Sequence, residues 1–259
     1  MKLDYAALTD RGRKRKVNED AYIVNKEVGL LVVADGMGGQ VAGEIASQIA
    51  VETIEHFVIK TEEEREITWP LEYREELSHN QNRLITAIKL AHNRILSIAS
   101  EKKGYQGMGT TVVASLLSKG KADIAYVGDS RAYLIRKKKL FQLTSDHSWV
   151  NEQLKKGLIS PQDAKVHPLR NVVTRALGGK LQLEVDILSS PLKEGDILLL
   201  CTDGLNSMLD NEEILKIILA NENNLRKAVE NLIKKANEKG GEDNITVILA
   251  RYYKDGEKE

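Results

Sequence analysis

The chain has one cysteine, Cys201, which excludes an intramolecular disulfide framework and suits a reducing compartment. An excess of either charge is also missing. Lys+Arg and Asp+Glu both number 38, so no overall field draws in nucleic acid or an anionic membrane, and any anion site has to be local. No apolar run approaches the roughly eighteen residues of a membrane span, and no basic-then-apolar export signal opens the chain. These absences lead us to expect a cytoplasmic protein without nucleic-acid or membrane partners. No shift in composition marks a boundary, so residues 1–253 are expected to form one domain, followed by a charged tail at 254–259. With 42% apolar residues in 259, the chain can bury a sizeable core.

The most informative stretch is Leu30-Leu31-Val32-Val33-Ala34-Asp35-Gly36, five apolar residues running into an aspartate and a glycine-rich turn. Its length and composition predict a strand buried on both faces, with Asp35 where the strand emerges. Before it, Leu3 to Thr9 and Ala21 to Val24 read as strands around a basic loop, Arg13-Lys14-Arg15-Lys16, most of which reads as a solvated surface. After it, Gly43 to Ile59 carries an amphipathic helical face, and residues 60–80 read as a charged surface connection. Leu84, Ile88, Ala91, Ile95 and Ile98 then space out a long helix over 78–102.

From Thr110 the period becomes that of strands: Thr110 to Leu117, Ala122 to Val127, Ala132 to Arg136 and Leu140 to Leu143. Their connections are too short for anything but antiparallel pairing. Residues 144–180 are irregular, with one short helix expected at 148–156, and read as a functional flap. Strands at Leu183 to Leu188 and Asp196 to Leu200, helices at 211–219 and 224–238, and a strand from Ile245 to Ala250 complete the reading. Antiparallel strands with two pairs of amphipathic helices make an α+β protein of two stacked sheets with helices outside.

Five aspartates share a placement. Asp35, Asp129 and Asp203 follow apolar strands, whereas Asp20 and Asp243 precede them. In antiparallel sheets one strand's end neighbours the next one's start, so all five can reach one rim. Any one of them alone reads best as a turn former. Together they would repel unless a cation neutralises them, and oxygen-only ligands select Mg2+ or Mn2+ over zinc. Two such ions suit phosphate-ester hydrolysis by a bridging water or hydroxide, and Arg15, just before Asp20, offers a forked grip for the phosphate.

Seven motifs now stand in order: Thr9-Asp10-x-Gly12-x-x-Arg15-x-x-Asn18-Glu19-Asp20, Asp35-Gly36-Met37-Gly38-Gly39, Gly109-Thr110-Thr111, Val127-Gly128-Asp129-Ser130-Arg131, Leu143-Thr144-x-Asp146-His147-Ser148, Thr202-Asp203-Gly204-Leu205 and Asp243-Asn244-Ile245-Thr246. Taken together, the chain resembles the bacterial form of the 2C-type (PPM) metal-dependent serine/threonine protein phosphatases, over nearly its whole length. The resemblance implies a four-layer α-β-β-α sandwich with a binuclear Mn2+ or Mg2+ centre at one end. It implies that Asp35 bridges the ions, the Gly36 carbonyl holds one, and Asp203 and Asp243 hold the other with Asp20. Glu19 stays open as the alternative to Asp20. Asp129 corresponds to the residue of a third, weaker metal and Arg15 to the phosphate-binding arginine, while Asn171 to Gly178 falls within the flap. Phosphorylated Ser/Thr proteins, a cognate Ser/Thr kinase among them, are the implied partners of a monomeric enzyme.

One departure concerns mechanism. Many eukaryotic relatives carry histidine after the Asp-Gly, where this chain has Met37, and a thioether donates no proton; water at the metal centre is the candidate replacement. His147 reads as a local structural residue. A hydrolase of small phosphorylated metabolites and an inactive phosphoprotein-binding module are the alternatives, the second disfavoured because every expected aspartate is present. Three other readings fail on residues. A dinucleotide turn at Gly36-x-Gly38 lacks its third glycine, at Val41, and would set Asp35 against a pyrophosphate. A serine esterase at Ser130 has no histidine after His167. A thiol phosphatase at Cys201 has Ser207 where its arginine belongs.

Overall fold

The structure is a computed structural model and describes residues 2–38, 42–63 and 68–253. Gly39 of the glycine motif, part of the 60–80 connection and the 254–259 tail lie outside the described residues. Eleven strands and seven helices follow in the order β1 (Lys2–Asp10), β2 (Asp20–Asn25), β3 (Leu30–Met37), α1 (Ala42–Glu63), α2 (His79–Glu101), β4 (Gly109–Thr110), β5 (Val112–Ser118), β6 (Lys121–Val127), β7 (Arg131–Arg136), β8 (Lys139–Gln142), α3 (Trp149–Lys155), α4 (Pro161–Val166), β9 (Asp186–Pro191), β10 (Ile197–Cys201), α5 (Asp203–Asn206), α6 (Asn211–Ala220), α7 (Leu225–Glu238) and β11 (Ile245–Tyr253).

Strict alternation along the central strands builds four layers. Leu31 and Val33 of β3 meet Leu198 and Leu200 of β10 and Ile248 of β11 in a core between the sheets. The intervening Leu30, Val32 and Ala34 face the other way, onto α1 and α2. On the second sheet Leu199, Cys201, Val247 and Leu249 likewise turn outward, onto α6 and α7. A strand with helices on one face and a second sheet on the other must be apolar at every position, which is why β3 and β10 read as unbroken runs. Among the described residues every pairing is antiparallel, in the orders β1-β11-β10-β7-β8 and β2-β3-β5-β6-β9, with β4 pairing beside β3.

Helix ends follow local chemistry. Ser78 and Gln81 form a reciprocal capping box at the start of α2, and Asp210 with Glu213 does the same for α6. The buried Arg83 of α2 donates to the Val58 carbonyl and the Thr61 hydroxyl and pairs with Glu62, fastening the end of α1.

Several expected boundaries move. The α4 helix was not anticipated: Pro161 looks like a breaker, but it occupies the first turn behind the Ser160 cap, where a missing N–H costs nothing. The short α5 was missed as well. β9 starts three residues later than expected and β11 runs three further, since both are set by pairing partners rather than by their own composition. The 60–80 connection is more than surface: α1 continues to Glu63, and Trp69 packs edge-on against Phe57 at 5.9 Å between ring centres.

His92 ties the far end of the 144–180 segment to α2, accepting the Gly178 amide at its Nδ1 at 3.1 Å. Burial lowers its pKa, with the Leu181 carbonyl opposing. A depressed histidine contributes stability that is complete above its unfolded value of about 6.5 and is lost as pH falls through that value. We expect urea-unfolding stability to decline on acidification below neutrality, and His92→Gln, which does not titrate, to remove part of that decline; an identical pH dependence in the variant would refute the assignment.

Candidate metal centre

Antiparallel pairing gathers the five aspartates at one end of the sandwich. Asp20 lies directly opposite Asp35 across β2 and β3. Asp203 follows β10 and Asp243 precedes β11, and these two strands pair. Asp129 lies in the turn between β6 and β7. The carboxyls crowd one another: Asp35 is pushed well above the usual range, by burial first and then by Asp20, Asp203, Asp129 and Asp243. Burial, with further push from Asp203 and others, lifts Asp20 and Asp129 to about 7, and burial with Asp243 lifts Asp203 to about 6.

Asp35 is held by its backbone and Asp20 by its carboxylate. The Asp35 amide donates to the Thr111 hydroxyl, and the Asp35 carbonyl accepts from the Thr111 amide at 2.9 Å and the Thr110 hydroxyl at 2.9 Å. Thr111 in turn bonds Ser130, fastening β3 to the Asp129 turn. Asp20 Oδ2 accepts from the Thr202 hydroxyl at 2.8 Å and the Thr246 hydroxyl at 2.6 Å. Because the Thr246 proton is spent on Asp20, the 2.7 Å contact between Thr9 and Thr246 has Thr9 as donor, and Asn18 Nδ2 donates to Thr9. A directed chain of hydrogen bonds thus runs from Asn18 to the carboxylate. Asn244 closes the rim, accepting the Glu19 amide and donating to the carbonyls of Arg11 and Val17. Thr202, Thr246 and Asn244 stood inside the motifs without a role; their spacing to Asp203 and Asp243 was the available signal.

Gly36 is not in a turn, contrary to expectation. β3 continues through Asp35 to Met37, because Gly36 and Met37 pair with Thr110 and Gly109. Glycine is required there by close approach: a Cβ would lie 2.1 Å from the Gly43 carbonyl oxygen and 2.5 Å from that of Glu19. His147 does have a structural role, accepting the Gly128 amide at 3.1 Å and stacking on Tyr126. Its Nε2 lies 3.3 Å from Asp186 but off the line of a hydrogen bond. Cys201 is buried and its thiol is pushed up to about 12, mainly by burial, so it is no nucleophile. All-antiparallel sheets remove the dinucleotide-turn reading too.

Four carboxylate oxygens among the described residues are buried without a hydrogen-bond partner, one on Asp123 of β6 and the other three on Glu19, Asp20 and Asp203 of the motifs. An unpaired anionic oxygen away from water is costly. Asp20 and Asp203, which press on each other and on Asp35 with no imidazole or thiolate among them, suit a hard divalent cation. Both Glu19 and Asp20 therefore keep a free oxygen, and two hydroxyls brace the other oxygen of Asp20. Among the described residues no group of three or more acidic, histidine or cysteine side chains is arranged to hold a metal ion as it stands. Asp243 is engaged by the Arg15 guanidinium at 2.6 Å and the Asn244 amide at 2.8 Å. Arg15, half exposed, stands at the lip. Beyond Asp129 and Asp203 opens a cleft of about 650 Å³ between α3–α4 and α5–α6. Of its four lining cations, Arg131 and Lys239 are paired with Asp146 and Glu213, while Lys165 and Arg170 have no acidic partner among the described residues.

Comparison with known proteins bears on the chain and its fold as a whole. Residues 9–250 match the family described as protein phosphatase 2C. The serine/threonine phosphatase stp of Listeria welshimeri is 42% identical over 249 residues, covering 93% of this chain and 92% of that one. The solved serine/threonine phosphatase PstP/Ppp of Mycobacterium tuberculosis superposes with a TM-score of 0.85 at 33% identity, over 97% of this chain and 99% of the other. A structure of the PstP catalytic domain in complex with two manganese ions superposes with a TM-score of 0.82 at 32% identity, over 97% and 99%.

Thr202 and Thr246 share one Asp20 oxygen, so their losses should not add. We expect Thr202→Val and Thr246→Val each to cost about 1–3 kcal/mol in denaturant unfolding, as for hydrogen bonds to a charged group. The double variant should fall short of or exceed their sum by at least roughly 0.5 kcal/mol. Strict additivity would mean that the hydroxyls do not act on a common carboxylate.

Proposed function

The chain belongs to the protein phosphatase 2C family and is a serine/threonine protein phosphatase, and from that premise we propose which of its residues do the work. Asp35, the Gly36 carbonyl, Asp20, Asp203 and Asp243 would hold two divalent ions, with Asp129 available to a third. The observation carrying this reading is the set of buried, partnerless carboxylate oxygens at one rim, with raised pKa values that only neutralisation relieves. Mn2+ and Mg2+ both suit the all-oxygen set, and a similar phosphatase is known with two manganese ions.

When bound, such ions supply Lewis acidity toward phosphoryl oxygens and activate water. The chain's own residues position and exclude. Thr202 and Thr246 fix the orientation of Asp20, and Thr110 and Thr111 fix the backbone of Asp35. Arg15 presents forked donors at the lip, suited to the non-bridging oxygens of the phosphate. The cleft beside Asp129 leaves room for the residues around the phosphorylated side chain. We further infer that residues 1–253 act as one domain whose 144–180 segment is the flap, and that the enzyme works as a cytoplasmic monomer. Among the described residues no helix is long and apolar enough to cross a membrane. By chemistry its substrates are products of a Ser/Thr kinase, which can include the kinase itself.

Phosphate release from a phosphothreonine peptide should require Mn2+ or Mg2+ and stop with chelator; chelator-insensitive turnover would sink the metal assignment. Arg15→Ala should raise KM by roughly tenfold or more and change kcat less, as for loss of a charge-assisted contact. Asp203→Asn should instead remove kcat together with tight metal binding, read by titrating the protein with Mn2+. An unchanged KM in Arg15→Ala would refute the phosphate-grip role.

A further inference from the structure

The loop between β1 and β2 carries five cations in six residues, Arg11, Arg13, Lys14, Arg15 and Lys16, in a chain whose net charge is zero. Only Arg15 has an acidic partner among the described residues; the other four side chains have none and are exposed. The nearest acid in sequence, Asp10, is engaged with the Gly12 amide and the Asn237 side chain.

This loop is fixed against the metal-site rim. Arg13 and Lys14 donate their amides to the Gly241 carbonyl at 2.8 and 3.1 Å, two residues before Asp243. Gly12, at a φ of 74°, lies so close to the Asp243 backbone that a Cβ would meet its carbonyl oxygen at 2.1 Å. The Arg11 guanidinium bonds the Lys16 carbonyl across the loop, and the Asn244 side chain grips the carbonyls of Arg11 and Val17. The four free cations are therefore held beside Arg15, the group that faces the phosphate. Solubility does not call for them, since a neutral chain with 29% charged residues has many surface charges already. Neutralising the aspartates does not need all of them either, because Arg15 alone makes that contact.

We propose that this basic lip is a specificity element that reads a second negative charge near the scissile phosphate, so that the preferred substrates are acidic or multiply phosphorylated Ser/Thr segments. The proposal rests on the phosphatase reading above. The cleft on the other side of the site holds Arg131 and Lys239, already paired, and Lys165 and Arg170, which have no acidic partner among the described residues; what sets the lip apart is that its backbone is fixed directly against Asp243, beside Arg15. Exposed cations act through a screened field, so the preference belongs in kcat/KM, at low salt, and fades as the Debye length shortens.

The test uses phosphothreonine peptides that differ only in flanking residues: Gln, Glu, or a second phosphothreonine, placed on either side. For the wild-type chain loaded with Mn2+, kcat/KM should be about three- to tenfold higher for the Glu or doubly phosphorylated peptides at about 50 mM salt, and nearly equal among peptides at about 300 mM. Lys14→Glu/Lys16→Glu, which leaves the loop's backbone contacts in place, should abolish or invert that ratio. A gain with the second phosphate but not with Glu would assign the lip to phosphate; a gain with both, to anionic charge in general. Equal kcat/KM for all peptides in the wild type, or a ratio surviving in the double variant, would overturn the proposal. Absence of turnover on every peptide and on p-nitrophenyl phosphate would instead overturn the phosphatase reading and the proposal with it.

Discussion

Like charges do not crowd together without a reason, and the structure depends on how this chain tolerates five aspartates at one end of its sandwich. Burial and mutual repulsion push up the carboxyls of Asp20, Asp35, Asp129 and Asp203. Such an arrangement survives folding because the rest of the protein over-determines it. Two sheets and four long helices bury an apolar core that does not include the rim, and the strain is concentrated where the strands end. The hydroxyls of Thr202 and Thr246 and the backbone contacts of Thr110 and Thr111 then fix the acids that a mobile rim would let turn to solvent.

Antiparallel topology lets distant sequence segments supply one site. Asp20 and Asp35 meet because β2 and β3 pair in that register, and a slip of one residue would send Asp20 to the opposite face. The register is set by the apolar alternation of β3 and its neighbours. Core packing and site geometry are therefore one constraint: the pattern that places Leu31 and Val33 between the sheets also places Asp35 at the rim. Gly36 shows the same coupling, because the strand end, the Glu19 backbone and the start of α1 approach too closely there for any side chain.

Much of this was legible in the sequence, for physical reasons. Unbroken apolar runs announced strands covered on both faces, and short connections left only antiparallel pairing, so the layered α+β architecture followed. The aspartates were legible because each abuts such a run. Hidden were features that depend on contacts across the fold. No local pattern shows that β9 starts at Asp186 or that Gly36 lies in a strand, since pairing partners decide both. Pro161 misled because its meaning depends on the cap before it. Thr202 and Thr246 look like ordinary strand-end threonines until Asp20 is placed between them.

Met37 leaves a chemical question that the histidines help to narrow. An imidazole could protonate a leaving alkoxide only if it stood at the carboxylate rim with a free nitrogen. His147 commits Nδ1 to the Gly128 amide and faces Asp186. His92 is buried between α2 and Gly178, His79 packs against Trp69, and His167 stacks on Trp149. His56 is exposed on α1, fourteen residues from the helix start at Ala42 and so about 21 Å along its axis. Each histidine is thus committed to structure or remote, and none figures among the groups that perturb Asp35. No imidazole is therefore among the leading groups that perturb Asp35, which makes Met37 consistent with its surroundings: without a basic ring against Asp35, that acid stays available for cations rather than pairing with an imidazolium.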